Sequence, residues 1–163
     1  SYCMKRKKIL LVLTGILPEE VKRQLILLDR AAKQGALAEY DEVFVKPHPF
    51  CPVESILAKV SLQKNLRVID NPLSQIWPDV SVVYAAHSTS SGLEAALCGL
   101  PVIIFLDENN LNLSPLYQWD GVAHVGRSKD LCDALQAIQS PPHIRDYFYL
   151  DVGLPKWRML LGQ

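Results

Sequence analysis

Two short segments carry the side chains best suited to chemistry. Lys46-Pro47-His48-Pro49 sets a cation and an imidazole in one turn, and Ser88-Thr89-Ser90-Ser91-Gly92 sets a run of hydroxyls before a glycine. Each follows a continuous apolar run, Val43-Phe44-Val45 in the first case and Val82-Val83-Tyr84-Ala85-Ala86 in the second. Such runs read as buried strands, and an open parallel sheet binds ligands outside the carboxyl ends of its strands. A cation, an imidazole and a hydroxyl cluster at that edge suit a phosphate-bearing ligand.

The residue types say how each would act. Two prolines stiffen the first turn and hold His48, which can donate to a phosphate or serve as an acid near neutral pH. Pro49 closes that turn. Lys46 either touches the phosphate or ends the strand in solvent. A helix is expected to start at Ser91 or Gly92, and the free N–H groups of helix N-termini bind phosphate readily. Hydroxyls from Ser88, Thr89, Ser90 and Ser91 add donors, and Gly92 lets a ligand approach the backbone. Ser91 and Glu94 also have the spacing of a capping box. Glu94 is then structural, or it accepts hydrogen bonds from ribose hydroxyls at the pocket edge. Gly15, after the apolar run Ile9 to Leu13, turns the chain and would line the same pocket. His87 stands beside the serine loop; His124 and His143 read as structural or exposed.

Absent motifs narrow the chemistry. No GxGxxG fingerprint or Walker A loop is present, which argues against NAD enzymes and P-loop ATPases. No GxSxG elbow is present, which argues against a serine hydrolase. Cys3, Cys51, Cys98 and Cys132 form no CxxC or other metal-like pair and read as reduced thiols of a cytoplasmic protein.

The elements that must position these loops alternate. Strands are expected at Ile9 to Leu13, Glu42 to Lys46, Leu66 to Ile69, Ser81 to Ala85, Pro101 to Leu106 and Val122 to Val125. Between them lie helical patterns. Pro18-Glu19-Glu20 opens the first, with acids at its positive end, and Gly35 stops it. Others are expected at Pro52 to Leu62, Asn71 to Trp77, Gly92 to Cys98 (closed by Gly99) and Ser128 to Ile138 (capped by Ser128). Strands separated by helices predict an α/β fold: a doubly wound, mainly parallel six-stranded Rossmann-like sheet with helices on both faces. Residues 1–7 form a leader, 8–140 the domain, and 141–163 a helical tail. The long loop Asp107 to Asp120 falls on the same sheet edge as the two candidate loops, where long loops are often functional. The tail holds Tyr147, Phe148, Tyr149, Leu150, Leu154, Trp157, Met159, Leu160 and Leu161, so it packs on this domain or covers a surface meant for another.

At 163 residues, with 49% hydrophobic and 21% charged residues, the composition is that of one globular domain. Lys+Arg and Asp+Glu both count 17, so no electrostatic footprint for nucleic acid exists. Lys5, Arg6, Lys7 and Lys8 form the one basic cluster, a solvated leader or a peripheral contact with anionic membrane. No apolar run approaches the roughly 20 residues that span a bilayer, and none reads as a signal peptide. The start, almost directly on a strand, suggests a piece of a longer chain.

The block Ser91-Gly92-Leu93-Glu94-Ala95-Ala96-Leu97-Cys98-Gly99-Leu100-Pro101-Val102 resembles the donor-binding half of GT-B glycosyltransferases. There, a Ser/Thr-rich loop precedes Glu, four residues, Gly, any residue and Pro. Lys46-Pro47-His48-Pro49 is similar to the His-Pro motif of bacterial sialyltransferases and Kdo transferases, which is paired with a Ser/Thr motif such as Ser90-Ser91. The tail from Phe148 to Trp157 is similar to the endings of that group, so the likeness runs over residues 8–161. The resemblance implies transfer from a nucleotide sugar, with a CMP-activated acidic sugar as one candidate donor, in cytoplasmic assembly of surface polysaccharide such as capsule or lipopolysaccharide. His48 would contact the donor phosphate and help the nucleotide leave. Ser90 and Ser91 would hold that phosphate, and Glu94 would meet the ribose. No Asp-x-Asp is present, so the resemblance implies a metal-independent reaction without a cofactor. It also implies a second, N-terminal Rossmann-like domain supplying acceptor site and general base, without which this half transfers nothing. Nucleotide-sugar 2-epimerases share the fold, the Ser-rich loop and a Glu, and are the alternative enzyme class. A non-catalytic binding module of the same fold is the third. Self-association through the apolar tail separates a fragment from a complete module.

Overall fold

The computed structural model describes residues 6–62, 66–137, 140–144, 147 and 155–162. Cys3, Lys5, Ile138, Phe148, Tyr149, Leu150, Asp151 and Leu154 lie outside the described residues, as does the side chain of Trp157. Six strands form one sheet: β1 (Ile9–Leu13), β2 (Glu42–Lys46), β3 (Leu66–Val68), β4 (Val82–Ala86), β5 (Val102–Phe105) and β6 (Ala123–Val125). All adjacent pairs are parallel, in the order β3-β2-β1-β4-β5-β6. The expected doubly wound α/β fold is therefore present.

Strand alternation explains how one sheet feeds two cores. Leu10, Val12, Val43, Val45, Val82, Tyr84, Ile103 and Phe105 point to one face. They meet Val21, Leu25 and Leu28 of α1 (Pro18–Lys33) and Leu131 and Leu135 of α5 (Ser128–Gln136). Leu11, Leu13, Val83, Ala85, Val102 and Ile104 point to the other face. They meet Ile76 of α3 (Leu73–Ile76) and Leu93, Ala95 and Ala96 of α4 (Ser91–Leu97). Strands buried on both faces have no polar side to show, so β1, β4 and β5 read as unbroken apolar runs.

Helices α1 and α4 end as the glycines predict. Gly35 and Gly99 take φ of 84° and 78°. After α1, Gly35 N–H donates to Ala32 O and Ala36 N–H to Ala31 O; after α4, Gly99 N–H donates to Ala96 O and Leu100 N–H to Ala95 O. Both are Schellman ends, which need the left-handed residue that glycine accepts without strain.

Two helix expectations change. The second helix, α2, is only Glu54–Leu57. Beyond it Lys59 N–H reaches Ile56 O and Val60 N–H reaches Leu57 O, so the chain tightens into three-residue turns and stops. Ser128 does not cap α5: it is already the first helical residue, Arg127 holds the cap position, and no side chain bonds there. In the tail, Ile144 is buried in the second core and Tyr147 donates its hydroxyl to Pro115 O. The last helix, α6 (Pro155–Leu161), exposes Met159, Leu160 and Leu161. Among the described residues no helix is long and apolar enough to cross a membrane.

Candidate functional site

The helix connections leave β1 in opposite directions: β2 and β3 lie to one side, β4, β5 and β6 to the other. The crevice between the ends of β1 and β4 is thus the switch point, where doubly wound sheets bind ligands. Three loops converge there, from β1 (Thr14-Gly15), β2 (Lys46 to Pro49) and β4 (His87 to Ser91).

The Lys46–Pro49 turn and the serine loop line one cavity of about 250 Å³, together with Thr14 and Leu73. His48 is fixed at every point of attachment. Its N–H donates to Thr14 Oγ1 at 3.2 Å, and its carbonyl accepts from Cys51 N–H at 2.9 Å. Its Nδ1 accepts from Phe50 N–H at 3.3 Å, which leaves Nε2 to carry the ring proton as a donor. The His48 and Phe50 rings lie 5.4 Å apart, and Phe50 is largely exposed. Lys46 Nζ donates to the Asp70 carbonyl at 3.0 Å, which anchors the ammonium on the cavity wall without neutralising it.

The start of α4 differs from a capping box. Ser90 sits at the cap position with helical φ/ψ of −75° and −11° and makes no side-chain cap bond. A capping serine needs extended backbone to turn its hydroxyl onto the helix. Instead Thr89 Oγ1 accepts from Ser91 N–H and donates to Ser91 Oγ, both at 3.2 Å. The Glu94 side chain is exposed and does not return to Ser91. Gly92 is buried, and the space of its missing Cβ faces Ile104 and Ala85, at 3.1 and 3.4 Å from their side chains. A Cβ there would press on the end of Ile104, so glycine suits the close approach of α4 to the sheet.

Ser88 parts from its neighbours. Its hydroxyl donates to Glu20 Oε2 at 2.6 Å. Glu20 Oε1 lies 3.3 Å from His87 Nε2, and the two side chains are only 4% and 5% exposed. His87 Nδ1 accepts from Leu113 N–H at 3.3 Å. The proton-bearing nitrogen of a neutral His87 is therefore Nε2, which faces the carboxylate. Gly15 leaves room for this arrangement: a Cβ there would stand 2.2 Å from Glu20 Oε2 and 2.8 Å from Ser88 Oγ. The Glu20–His87–Ser88 group borders a second cavity of about 370 Å³, whose other walls are Leu17 and Asn109, Asn110, Leu111 and Leu113. The long loop Asp107 to Asp120 thus does close the site edge. Its base is pinned by an Arg23–Asp107 ion pair, and the Arg23 hydrogen bond holds the Asp107 carboxyl below its usual range.

So the structure brings Lys46, His48, Pro49, Thr89, Ser90 and Ser91 to one cavity. It places Gly15 and Ser88 at the boundary with the second. Sequence reasoning missed Glu20, which it read only as a complement to the helix dipole. The signal was present: Glu20 and Gln24 fall inside the apolar stripe Val21-Leu25-Leu28, where buried polar groups need partners. Among the described residues no cluster of His, Cys, Asp or Glu is arranged to hold a metal.

Neither a family model nor a curated protein matches the chain. Solved structures do. The chain resembles UDP-GlcNAc 2-epimerase from Methanocaldococcus jannaschii in complex with UDP-GlcNAc and UDP, with a TM-score of 0.63 at 16% identity. The match covers 97% of this chain and 46% of that one. A second structure of the enzyme from the same organism gives a TM-score of 0.61 at 14% identity over 98% of this chain and 47% of the other. At these identities the likeness is one of fold, and this chain spans about half the length of those proteins.

Proposed function

We propose that this chain is the nucleotide-sugar-binding half of a two-domain enzyme of sugar metabolism. The observation that carries this is the cavity at the switch point, where Lys46, His48 and the serine loop meet. Lys46 supplies fixed positive charge, and His48 Nε2–H and the Ser90 and Ser91 hydroxyls supply donors to the phosphate of the nucleotide. Preorganised donors around a leaving phosphate stabilise the charge that develops as a glycosyl bond breaks. His48 acts at that step, and Glu94, which is exposed and lines neither cavity, is the candidate partner of the ribose.

The sequence resemblance favours a glycosyltransferase, with a CMP-activated acidic sugar as donor and surface polysaccharide as product. The fold shared with UDP-GlcNAc 2-epimerase structures favours a second reading, a 2-epimerase-like domain taking a UDP-sugar. Both readings place the remaining catalytic groups on a second Rossmann-like domain, so this chain alone binds nucleotide and does not turn it over. The apolar residues exposed on α6 suit a buried position in the larger assembly or self-association without it.

Calorimetric titration with UDP, CMP and GDP tests the common core of both readings. Saturable binding of at least one is expected. His48→Ala removes a bond to a charged group and should weaken that binding about tenfold, the equivalent of ~1.5 kcal/mol. The absence of any binding at millimolar nucleotide would refute the reading.

A further inference from the structure

The second cavity carries information the first does not. It abuts the first, because the same two loops line both: the β1 loop gives Thr14 to one and Leu17 to the other, and the β4 loop gives Ser90 and Ser91 to one and His87 and Ser88 to the other. Its chemistry is of another kind. Glu20 presents a carboxylate 95% buried, with Ser88 Oγ on Oε2 and His87 Nε2 3.3 Å from Oε1. Among the described residues its lining holds no lysine or arginine. His87 is engaged at both ring nitrogens, Nδ1 by Leu113 N–H and Nε2 towards Glu20. Asn109 and Asn110 add amides, and Leu17, Leu111 and Leu113 add an apolar wall.

We infer that this cavity is the sugar subsite and that it takes an uncharged, hydroxyl-rich sugar, with Glu20 accepting from a sugar hydroxyl. The inference rests on the nucleotide-sugar reading above and selects the donor class within it. A carboxylate accepts at about four lone-pair sites, and Ser88 and His87 occupy two of those of Glu20, so acceptor capacity remains for a hydroxyl donor. Asparagine amides bond either donor or acceptor hydroxyls. Leucines cover the C–H face of a pyranose, as apolar walls with few polar groups do in small-molecule sites. A carboxylate-bearing sugar would instead set like charges together in a partly desolvated space with no cation between them. The diphosphate is excluded from this side for the same reason, so it lies towards Lys46 and His48.

The test is an NMR and calorimetric titration of the full 163-residue chain with UDP, UDP-N-acetylglucosamine, CMP and CMP-N-acetylneuraminate. UDP and its sugar should both shift the His48 and Ser90 amides. Only the sugar nucleotide should shift Asn110 and the Leu113 methyls, and it should bind about tenfold tighter than UDP, the gain of one bond to a charged group. CMP-N-acetylneuraminate should bind no tighter than CMP. Glu20→Gln should remove the sugar increment, read as the ratio of UDP-N-acetylglucosamine to UDP affinity within that variant. Asn109→Ala with Asn110→Ala, both on the exposed loop, should reduce the increment without touching the core. The inference is overturned if nucleotides bind but the acidic sugar gains as much as the neutral one, or if Leu113 stays unshifted by UDP-N-acetylglucosamine. If no nucleotide perturbs any residue, the nucleotide reading fails first and the sugar subsite falls with it.

Discussion

Gly15→Ala tests the packing beneath the site. The backbone of Gly15 is not left-handed, so the substitution carries no conformational strain of its own. The added Cβ would stand 2.2 Å from Glu20 Oε2, 2.5 Å from Glu20 Cδ and 2.8 Å from Ser88 Oγ. Real Cβ atoms do not tolerate such distances, and the flexible party is the Glu20 side chain. It must swing towards the second cavity, which breaks its 2.6 Å bond from Ser88 and separates it from His87. A hydrogen bond to a buried charge contributes about 1.5–3 kcal/mol. Alanine recovers about 0.4–1 kcal/mol by restricting the unfolded chain. The net expectation is a loss of about 2 kcal/mol, read by urea unfolding with Trp77 and Trp119 fluorescence as probes. The decisive measurement is the same substitution in a Glu20→Ala background. There the carboxylate is gone and Ser88 Oγ can rotate away, so Gly15→Ala should become neutral or slightly stabilising, a coupling of about 2 kcal/mol. An equal loss in both backgrounds would refute the argument and move the cause to the backbone.

Tyr84 buries its hydroxyl without a hydrogen bond, and burial pushes its pKa well above the ordinary value; Tyr84→Phe should therefore raise stability by about 1 kcal/mol, or about 2–4 °C in Tm. His124 has its pKa held below the usual value by burial, only partly offset by its bond to the Val122 backbone. The unfolded chain therefore binds the proton more tightly, and stability should fall as pH drops through about 6.5, a loss that His124→Gln should flatten in denaturation curves taken between pH 8 and 5. Cys98 is exposed, and partial desolvation together with Glu94 pushes its thiol up, so its alkylation at pH 7.5, followed by peptide mass mapping, should be slower than that of free cysteine and faster in Glu94→Gln. Cys51 and Cys132 are buried and should react only on unfolding.

The legible part of the molecule is the part whose physics is local or periodic. A strand buried on both faces must be apolar at every position, which is why Ile9–Leu13 and Val102–Phe105 stand out of the chain without any alignment. A strand end followed by Pro-His-Pro or by serines places its side chains at the ligand-binding edge by topology alone, and the shared cavity of about 250 Å³ follows from that. What failed to show was register and pairing across the fold. Ser91 and Glu94 have capping-box spacing, but α4 begins one residue early, so Ser91 is already helical and the box cannot close. One residue of helix register is worth less than a kilocalorie in propensity, and a bond from Thr89 to Ser91 N–H is enough to set it. Glu20 failed for the opposite reason. As one of two acids in the first turn of α1 it looked ordinary, and only the fold brings Ser88 and His87, 68 and 67 positions away, onto its two oxygens. The first cavity could thus be read from two motifs, each contiguous in sequence. The second cavity is assembled from three separate segments; the serine loop and the long loop Asp107 to Asp120 were legible as neighbours of the same edge, but the residue that joins them, Glu20, showed only as a polar residue in an apolar stripe.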